Sequence, residues 1–357
     1  MVIRTIVFCG GGSGGHVMPA LTLIEAIKKK APEIDIRAFG SYSGIEERLF
    51  RERGVPYKPI STGKLRRYFS WQNFLDLFRL VKGLVQAFFY LMKLSRKETI
   101  IFSTGGFVTV PVVIAGWMQG KKVFIHEQTS RVGLANKIGS IFSSKVLLTF
   151  EASLPYFPSE KTVLSGYPLR EEILSPPKLG CLRDIDFKEI RRPVLFLTGG
   201  GNGSRLLNEA LRDCLPLLEE KFFIIHQCGS LFLEEYKKFE NENYRVFDFI
   251  SDHMIPLLNE AEVVVSRSGA GTVMELMSLG KPSVFIPLRI AQKNEQYHNA
   301  LEAHEKLGSI IIEEKDLNKE SLLAATESIR SIKRHEITKV NPTEKIIKII
   351  FEESNRD

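Results

Sequence analysis

Residues 6 to 30, "IVFCGGGSGGHVMPALTLIEAIKKK", place five glycines and a histidine between an apolar run and a helical pattern. The run Ile3 to Cys9 reads as a buried strand, and Leu21, Ile24 and Ile27 recur at helical spacing until Lys28 to Lys30 end the pattern. The glycines then form the turn between strand and helix. One or two would suffice for a bare turn; five let a ligand approach the backbone N–H groups of the helix start, where unpaired donors and the positive dipole end favour an anion such as phosphate. His16 adds chemistry to this turn, since a helix N-terminus disfavours a cation and suits an imidazole to accepting a proton.

Two known kinds of phosphate loop do not fit. A nucleoside-triphosphate loop ends in Gly-Lys-Ser/Thr, whereas Gly15 is followed by His16 and Val17. Gly10, Gly12 and Gly15 have the G-x-G-x-x-G spacing, but the next strand, "IDIRAFG", carries Asp35 at its start and ends in Phe39, Gly40 and Ser41. No acid stands where a dinucleotide's ribose would need one, so a nicotinamide or flavin cofactor is not expected.

The 357 residues suffice for about two domains. Cys9, Cys181, Cys214 and Cys228 are scattered without C-x-x-C spacing, as expected of buried thiols in a reducing compartment, and no zinc motif occurs. The first strand begins at once, and no uncharged apolar stretch reaches the ~20 residues of a spanning helix. An intracellular protein is expected.

The net charge of +7 sits in one place: residues 64 to 97 hold Lys64, Arg66, Arg67, Arg79, Lys82, Lys93, Arg96 and Lys97 against the single acid Asp76. The same window is rich in leucine and aromatics, so it points to an anionic membrane surface rather than to nucleic acid. Phe74, Leu77, Phe78, Val81, Val85, Phe88 and Met92 form a helical stripe sufficient for core packing. Leu75, Leu80, Leu84, Phe89, Tyr90 and Leu91 add apolar surface beyond it, and Phe69 and Trp71 precede it. Membrane contact is therefore expected of Phe69, Trp71, Leu75, Arg79 and Lys82.

Strand-like runs at "IDIRAF", "TIIFS", "KVFIHE" and "KVLLTF" continue the opening unit. After the Pro-rich, charged stretch "SPPKLGCLRDIDFKEIRRP", the segment "VLFLTGGGNGSRLLNEALRDCL" repeats the pattern of apolar strand, glycine turn and helix. Further strands read at "FFIIHQ", "YRVFDF", "EVVVS", "SVFIP" and "SIIIE". The alternation predicts an α/β chain of two similar domains with a cleft between them. The domains are expected to be Rossmann-like and to span residues 1 to 165 and 166 to 340, and a C-terminal helix in 341 to 357 is expected to pack back on the first. Three glycine turns would serve ligands at strand ends: Gly10 to Gly15, Gly199 to Gly203, and Ser268 to Gly271.

In order and spacing, "GGGSGGHVMPAL", "TGGFVTVP", "HEQTSRVGLANK", "GYPLR", "GGGNGSRLLN", "DFISDHM", "SRSGAGTVMEL" and "NEQYHNA" resemble the bacterial peptidoglycan N-acetylglucosaminyltransferases, over nearly the whole chain. That family is membrane-associated and converts lipid I to lipid II. The resemblance implies a GT-B architecture and an inverting transfer of GlcNAc from UDP-GlcNAc to the 4-hydroxyl of lipid-linked MurNAc-pentapeptide. It also implies a place on the cytoplasmic face of the inner membrane, no cofactor, and cell-wall and division proteins as further partners. By the same resemblance Ala270, Gly271 and Thr272 lie against the UDP diphosphate, Glu275 takes the ribose diol, Ile250 meets uracil, and Gln296 and Asn299 face the GlcNAc hydroxyls. Arg170 neutralises phosphate charge. Ser13, Gly14, Gly15, Thr129 and Gly201 complete the donor contacts, with His16 and Glu127 in catalysis and His126 and Asn136 around the acceptor. The chain departs from the family pattern at Phe107, Thr129, Tyr167, Gly201, Asn202, Gly271 and Glu295, which bears on single contacts.

Transfer to a hydroxyl needs a base and a way to offset charge on the departing UDP. The only Asp-x-Asp triplet, Asp184 to Asp186, falls in the stretch between the domains and is read as solvent-exposed rather than as a metal site. The helix dipole and Arg170 are expected to take that role instead. His16 is the favoured base, with Glu127 or Asp35 behind it. A UDP-GlcNAc 2-epimerase would share fold and donor without needing the membrane segment, and a membrane-docked nucleotide-sugar sensor would bind UDP-GlcNAc without releasing UDP.

Overall fold

A computed structural model describes residues 3–63, 71–251, 253–290, 294–336 and 340–354. The chain forms two compact units, Met1–Arg170 with Asn341–Asp357, and Glu171–Val340.

The first unit is built on seven strands: β1 (Thr5–Gly10), β2 (Asp35–Gly40), β3 (Tyr57–Pro59), β4 (Thr99–Gly105), β5 (Lys122–Glu127), β6 (Lys145–Leu148) and β7 (Thr162–Leu164). They pair in parallel in the order β3-β2-β1-β4-β5-β6-β7. The helices are α1 (Gly14–Lys30), α2 (Ile45–Glu52), α3 (Trp71–Leu91), α4 (Thr109–Met118) and α5 (Leu134–Gly139). Because all strands run one way, the ends of β1, β4 and β5 share an edge, and the segments after them meet there. Alternation sorts the core: Ile6 and Phe8 join the buried face of α1, whereas Val7 and Cys9 join Ala87 and Leu91 of α3 and Val112 and Val113 of α4. Removing a buried ring such as Phe102 would cost about 3–5 kcal/mol.

The orientation of α3 corrects the sequence reading. Leu77, Phe78, Val81, Val85 and Met92, expected in the core, are exposed, as is Leu75. The buried side carries Asp76, Gly83, Ala87 and Leu91. Small residues decide this: a Cβ on Gly83 would collide with the Ser61 carbonyl and lie 3.6 Å from Pro111 Cβ, so only glycine lets α3 approach so closely. Arg79 reaches back to the buried Asp76 (Nη1 to Oδ1, 3.0 Å), and Lys82 is exposed. Phe69 and the Trp71 side chain lie outside the described residues.

The second unit opens with a short antiparallel hairpin, β8 (Cys181–Leu182) and β9 (Ile185–Asp186), beside a six-stranded parallel sheet. That sheet has the order β12-β11-β10-β13-β14-β15, from β10 (Val194–Thr198), β11 (Phe223–Gln227), β12 (Tyr244–Phe247), β13 (Val263–Ser266), β14 (Val284–Phe285) and β15 (Ile310–Ile311). Its helices are α6 (Arg205–Glu219), α7 (Leu233–Lys237), α8 (Met254–Glu260), α9 (Ala270–Ser278), α10 (Glu295–Leu307) and α11 (Lys319–Arg330). The last helix, α12 (Pro342–Ser354), returns to the first unit, where Ile346, Ile347 and Ile350 enter the core beside α1.

The hairpin occupies the stretch expected between the domains, yet it belongs to the second unit, with Leu179, Leu182 and Ile185 buried. Asp184 is exposed at its turn, as expected, but Asp186 is half-buried and accepts the Lys188 N–H. Arg183, at φ 52°, lays its guanidinium 3.9 Å from the centre of the Phe247 ring. The thiols differ in one place from expectation: Cys9, Cys214 and Cys228 are buried but Cys181 is exposed.

Candidate active site

The first glycine turn runs from Gly10 to α1, with Gly12 at φ +89°. Its ligand-side amides are fewer than expected, because the Gly12 N–H donates to Glu46 Oε2 at 3.2 Å. Ser13 stands at the N-cap without a side-chain cap bond, and the half-exposed Gly14 and exposed Gly15 occupy the first turn of α1. His16, half-exposed in the same turn, is held from behind. Its Nδ1 lies 3.0 Å from the Thr104 carbonyl and 3.3 Å from Gln128 Oε1. A carbonyl can only accept, so Nδ1 carries a proton, and in the neutral ring the lone pair is on Nε2. Among the described residues, Nε2 has no hydrogen-bond partner. This is the tautomer that a general base needs. Gly105, at φ +97°, makes room for it: a Cβ there would lie 3.0 Å from His16 Nδ1 and 3.1 Å from Asn136 Nδ2.

At the end of β5, "HEQ" forms the support of that ring. Burial holds the fully buried His126 at a pKa of about 4, offset in part by the Gly166 carbonyl, so the ring is neutral. Its Nε2–H donates to Gly166 O (3.0 Å), and its Nδ1 accepts from Gln128 Nε2 (3.2 Å), which also donates to the His126 carbonyl (3.0 Å). The Gln128 amide is thereby oriented with its oxygen toward His16. Glu127 Oε1 accepts from the Thr129 N–H (3.2 Å), and Oε2 from the Gly133 N–H and Asn136 Nδ2 (3.1 Å each). The Thr129 hydroxyl lies 2.8 Å from Oε1 and 2.8 Å from the Arg131 carbonyl.

Several expectations change here. His126 and Asn136, expected at the acceptor, are 0% and 2% exposed and shape the site from behind. Glu127 is 2% exposed and its lone pairs are engaged, so it organises the loop after β5 rather than serving as a base. Asp35 is excluded as a base by topology: it opens β2 opposite Thr5, at the far end of the strands from His16, and pairs with Arg37 at 2.6 Å. Gln128, which the sequence marks only as following His126 and Glu127 at the strand's end, is the side chain that bridges His126 and His16.

In the second unit the turn after β10 has Gly200 at φ +84° and Gly203 at +73°, and Ser204 caps α6 by accepting from the Leu207 N–H. Gln227, likewise without a motif of its own, ties this turn together: its Nε2 donates to Thr198 Oγ1 (2.9 Å) and the Gly200 carbonyl (3.1 Å), and its Oε1 accepts the Ile250 N–H (2.8 Å). The Ile250 side chain is 3% exposed, so contact with a base would fall to its backbone. The exposed Phe249 ring lies beside Gly201, 3.6 Å from where a Cβ would stand.

α9 starts at Ala270 after a Gly269 N-cap with no side-chain cap bond and no acid in the first turn, which leaves a helix start suited to an anion. Gly271 and Thr272 are half-buried in that turn, and Glu275 is half-buried one turn on. The start is braced by Arg267, whose Nη2 donates to Ser204 Oγ and pairs with Glu314 Oε1 (2.8 Å each), and whose Nη1 donates to the Ile286 carbonyl (3.0 Å). Burial pushes the Arg267 pKa down, with Glu314 opposing. Asn299, expected to face a sugar, is 1% exposed and donates to the Ser268 carbonyl at 3.2 Å. Gln296 Oε1 accepts the Leu288 N–H at 3.0 Å from the half-exposed start of α10. Arg170, half-exposed, is the last residue of the first unit before the chain crosses.

Two α/β units with parallel sheets, each with a glycine turn opening onto a helix, define the two-domain GT-B class of fold. The crystal structure of Acinetobacter baumannii MurG matches it with a TM-score of 0.69 over 98% of this chain and 99% of that one, at 23% identity, a likeness of fold. The glycosyltransferase family 28 N-terminal domain matches residues 6–148 and the glycosyltransferase family 28 C-terminal domain residues 194–349. The chain is 39% identical over 329 residues, 92% of each protein, to the UDP-N-acetylglucosamine--N-acetylmuramyl-(pentapeptide) pyrophosphoryl-undecaprenol N-acetylglucosamine transferase 2 of Bacillus cereus. It is 38% identical over 355 residues to the transferase of the same name, without the number, from Clostridium kluyveri, covering 98% of this chain and 99% of that one. The chain belongs to glycosyltransferase family 28.

Proposed function

We propose that the protein transfers GlcNAc from UDP-GlcNAc to the 4-hydroxyl of lipid-linked MurNAc-pentapeptide, converting lipid I to lipid II. The observation that carries the reading is the fixed tautomer of His16, with Nδ1–H committed to Thr104 and Gln128. In the reaction His16 Nε2 takes the proton of the acceptor hydroxyl as its oxygen bonds to the anomeric carbon. The bond from that carbon to the UDP oxygen breaks from the opposite face, which inverts the configuration. The amides of Ala270, Gly271 and Thr272, with Arg170, offset charge on the departing diphosphate. Glu275 accepts from the ribose diol, the Ile250 backbone meets the uracil beside Gly201, and Gln296 contacts the sugar. Ser13, Gly14 and Gly15 line the approach of the reacting hydroxyl, and Thr129, through Glu127, keeps the loop after β5 in place.

The acceptor's polyprenyl chain lies in a bilayer, and the exposed face of α3 suits a surface of that kind. Leu75, Leu77, Phe78, Val81, Val85 and Phe89 are exposed there beside Arg79 and Lys82, and Trp117, Met118 and Ile141 expose further apolar area on the same unit. No described helix is long and apolar enough to cross a membrane. Apolar side chains flanked by cations support docking on the surface of an anionic leaflet. That this leaflet is the cytoplasmic one, with cell-wall and division proteins as further partners, rests on the family resemblance alone.

UDP release measured with and without lipid-linked MurNAc-pentapeptide tests the reading. Acceptor-dependent release is expected. UDP-ManNAc formed from UDP-GlcNAc without acceptor would indicate an epimerase, and UDP-GlcNAc binding with no release would indicate a sensor.

A further inference from the structure

The hydrogen bonds behind His16 form one directed line that leads away from the site. Gln128 spends both hydrogens of its amide on His126, one on the main-chain carbonyl (3.0 Å) and one on ring Nδ1 (3.2 Å), so its oxygen is left to face His16 Nδ1 at 3.3 Å. His126 can accept at Nδ1 because its ring proton is on Nε2, where the Gly166 carbonyl takes it at 3.0 Å. A proton on Nδ1 instead would meet the Gln128 donor, and an amide turned to suit it would point N–H at the N–H of His16. The direction of each bond back to the base is therefore set at Gly166.

Gly166 stands where the chain leaves the first unit, and its backbone is held from two sides. The Ser165 and Gly166 N–H groups both donate to the Leu148 carbonyl at the end of β6 (2.9 and 3.0 Å). Its φ is +82°, and a Cβ there would lie 2.9 Å from Pro342 Cβ, where the chain returns. Next to Pro342, Thr343 is 3% exposed and clasps the outgoing segment: Oγ1 accepts the Leu169 N–H (2.9 Å) and donates to the Leu169 carbonyl (2.7 Å). Outgoing and returning chain are thereby pinned together beside the carbonyl that polarises His126.

We propose that His126 and Gln128 are positioning residues that tie His16 to this clasped crossing, with Thr343 holding the far end, so that the ring is set for proton transfer only while the Gly166 carbonyl is in place. The inference rests on the reading of His16 as the base and adds the groups that aim it. Among the described residues no carboxylate backs the ring: Glu127, between His126 and Gln128 in sequence, turns to Thr129, Gly133 and Asn136. The Thr104 carbonyl and the Gln128 amide are neutral acceptors, so the relay supplies direction rather than charge.

Gln128→Met, His126→Phe and Thr343→Val in the full chain test this, read by turnover and by ring-nitrogen NMR of histidine-labelled protein. His16→Ala and His126→Phe assign the two rings. Wild type should show His16 protonated at Nδ1 and His126 at Nε2. Each variant should let the Nε2–H form of His16 appear and should lower kcat by about tenfold or more, with UDP-GlcNAc affinity unchanged. Combined with His16→Ala, none should lower kcat further, because residues that act as a unit are not additive. Thr343→Ser, which keeps the hydroxyl, should restore turnover. If Gln128→Met does not fold, Gln128→Asn, which shortens the amide's reach, takes its place. Absence of acceptor-dependent UDP release in the wild type would count against the transferase reading alone, and the NMR signals still decide the relay. The proposal is overturned if Gln128→Met or Thr343→Val leaves the His16 signals and kcat at wild type, or if the loss in either adds to that of His16→Ala.

Discussion

His16 Nδ1 donates to the main-chain carbonyl of Thr104 across 3.0 Å, so the tautomer of the proposed base is set by a strand end 88 residues away in sequence. Because that acceptor is main chain, substitution at position 104 leaves it in place, and the function of the ring is best tested at His16 itself. His16→Ala should lower kcat by about 100-fold or more while UDP affinity and the unfolding midpoint stay near wild type. Steady-state kinetics beside calorimetric UDP binding decide it. Activity within a few-fold of wild type would assign the base elsewhere.

Glu275 is half-buried one helical turn past the amides proposed for the diphosphate, where it is proposed to take the ribose diol. Glu275→Ala should weaken UDP-GlcNAc binding by about 1–3 kcal/mol, or roughly 5- to 150-fold in Kd. Equal affinities for variant and wild type, measured by titration calorimetry, would take Glu275 out of the donor site.

Two buried histidines make stability depend on pH. His126 is held at a pKa of about 4 and His226 at about 3, both by burial. His226 accepts from the Tyr244 hydroxyl at 2.7 Å and donates to Asn208 Oδ1 at 3.0 Å, a fully paired neutral ring. In the unfolded chain each titrates near 6.5. Below that value the unfolded state binds protons the folded state refuses, so stability is fully present above about pH 6.5 and falls as pH drops toward 4. The expected slope approaches about 1.4 kcal/mol per pH unit for each ring. Denaturant titrations between about pH 7 and pH 5 measure it, and a flat profile would mean that the rings take up protons in the fold.

Membrane docking should be reversible and charge-dependent. Replacing Arg66, Arg67, Arg79 and Lys82 by glutamate should abolish sedimentation with anionic vesicles at low salt, and raised salt should weaken the wild type. Leu75→Ser with Phe78→Ser should weaken docking at any salt, because both side chains are exposed on α3. UDP-GlcNAc affinity is expected to be unchanged in each case. Equal partitioning of wild type and the charge-reversed variant would refute the assignment of this face.

Much of the fold is legible in local pattern. Short apolar runs such as Val194–Thr198 and Val263–Ser266 alternate with helical segments, and only a parallel sheet covered on both faces buries them all. The short strands β3 and β7, at the two edges of the first sheet, hold too few apolar residues to be read. The positions of the glycine turns, of His16 behind the first and of Ala270 behind the third are likewise open to reading, since glycine before a helix start has a local steric cause.

The class of fold, the turns that bear the site and the family are therefore written in residues close together along the chain. Tertiary structure decided which groups are free to act. The sequence of α3 offers two apolar faces, and the close packing allowed by Gly83 and Ala87 buries the one with fewer large side chains. His126, Glu127, Asn136 and Asn299 carry chemistry suited to a ligand, but strand register and loop return bury them against protein partners. Glu46 reads locally as a solvated acid in the first turn of a short helix. Only the meeting of α2 with the end of β1 turns its carboxylate inward onto Gly12, because hydrogen-bond partners 34 residues apart are brought together by the sheet and by no local rule.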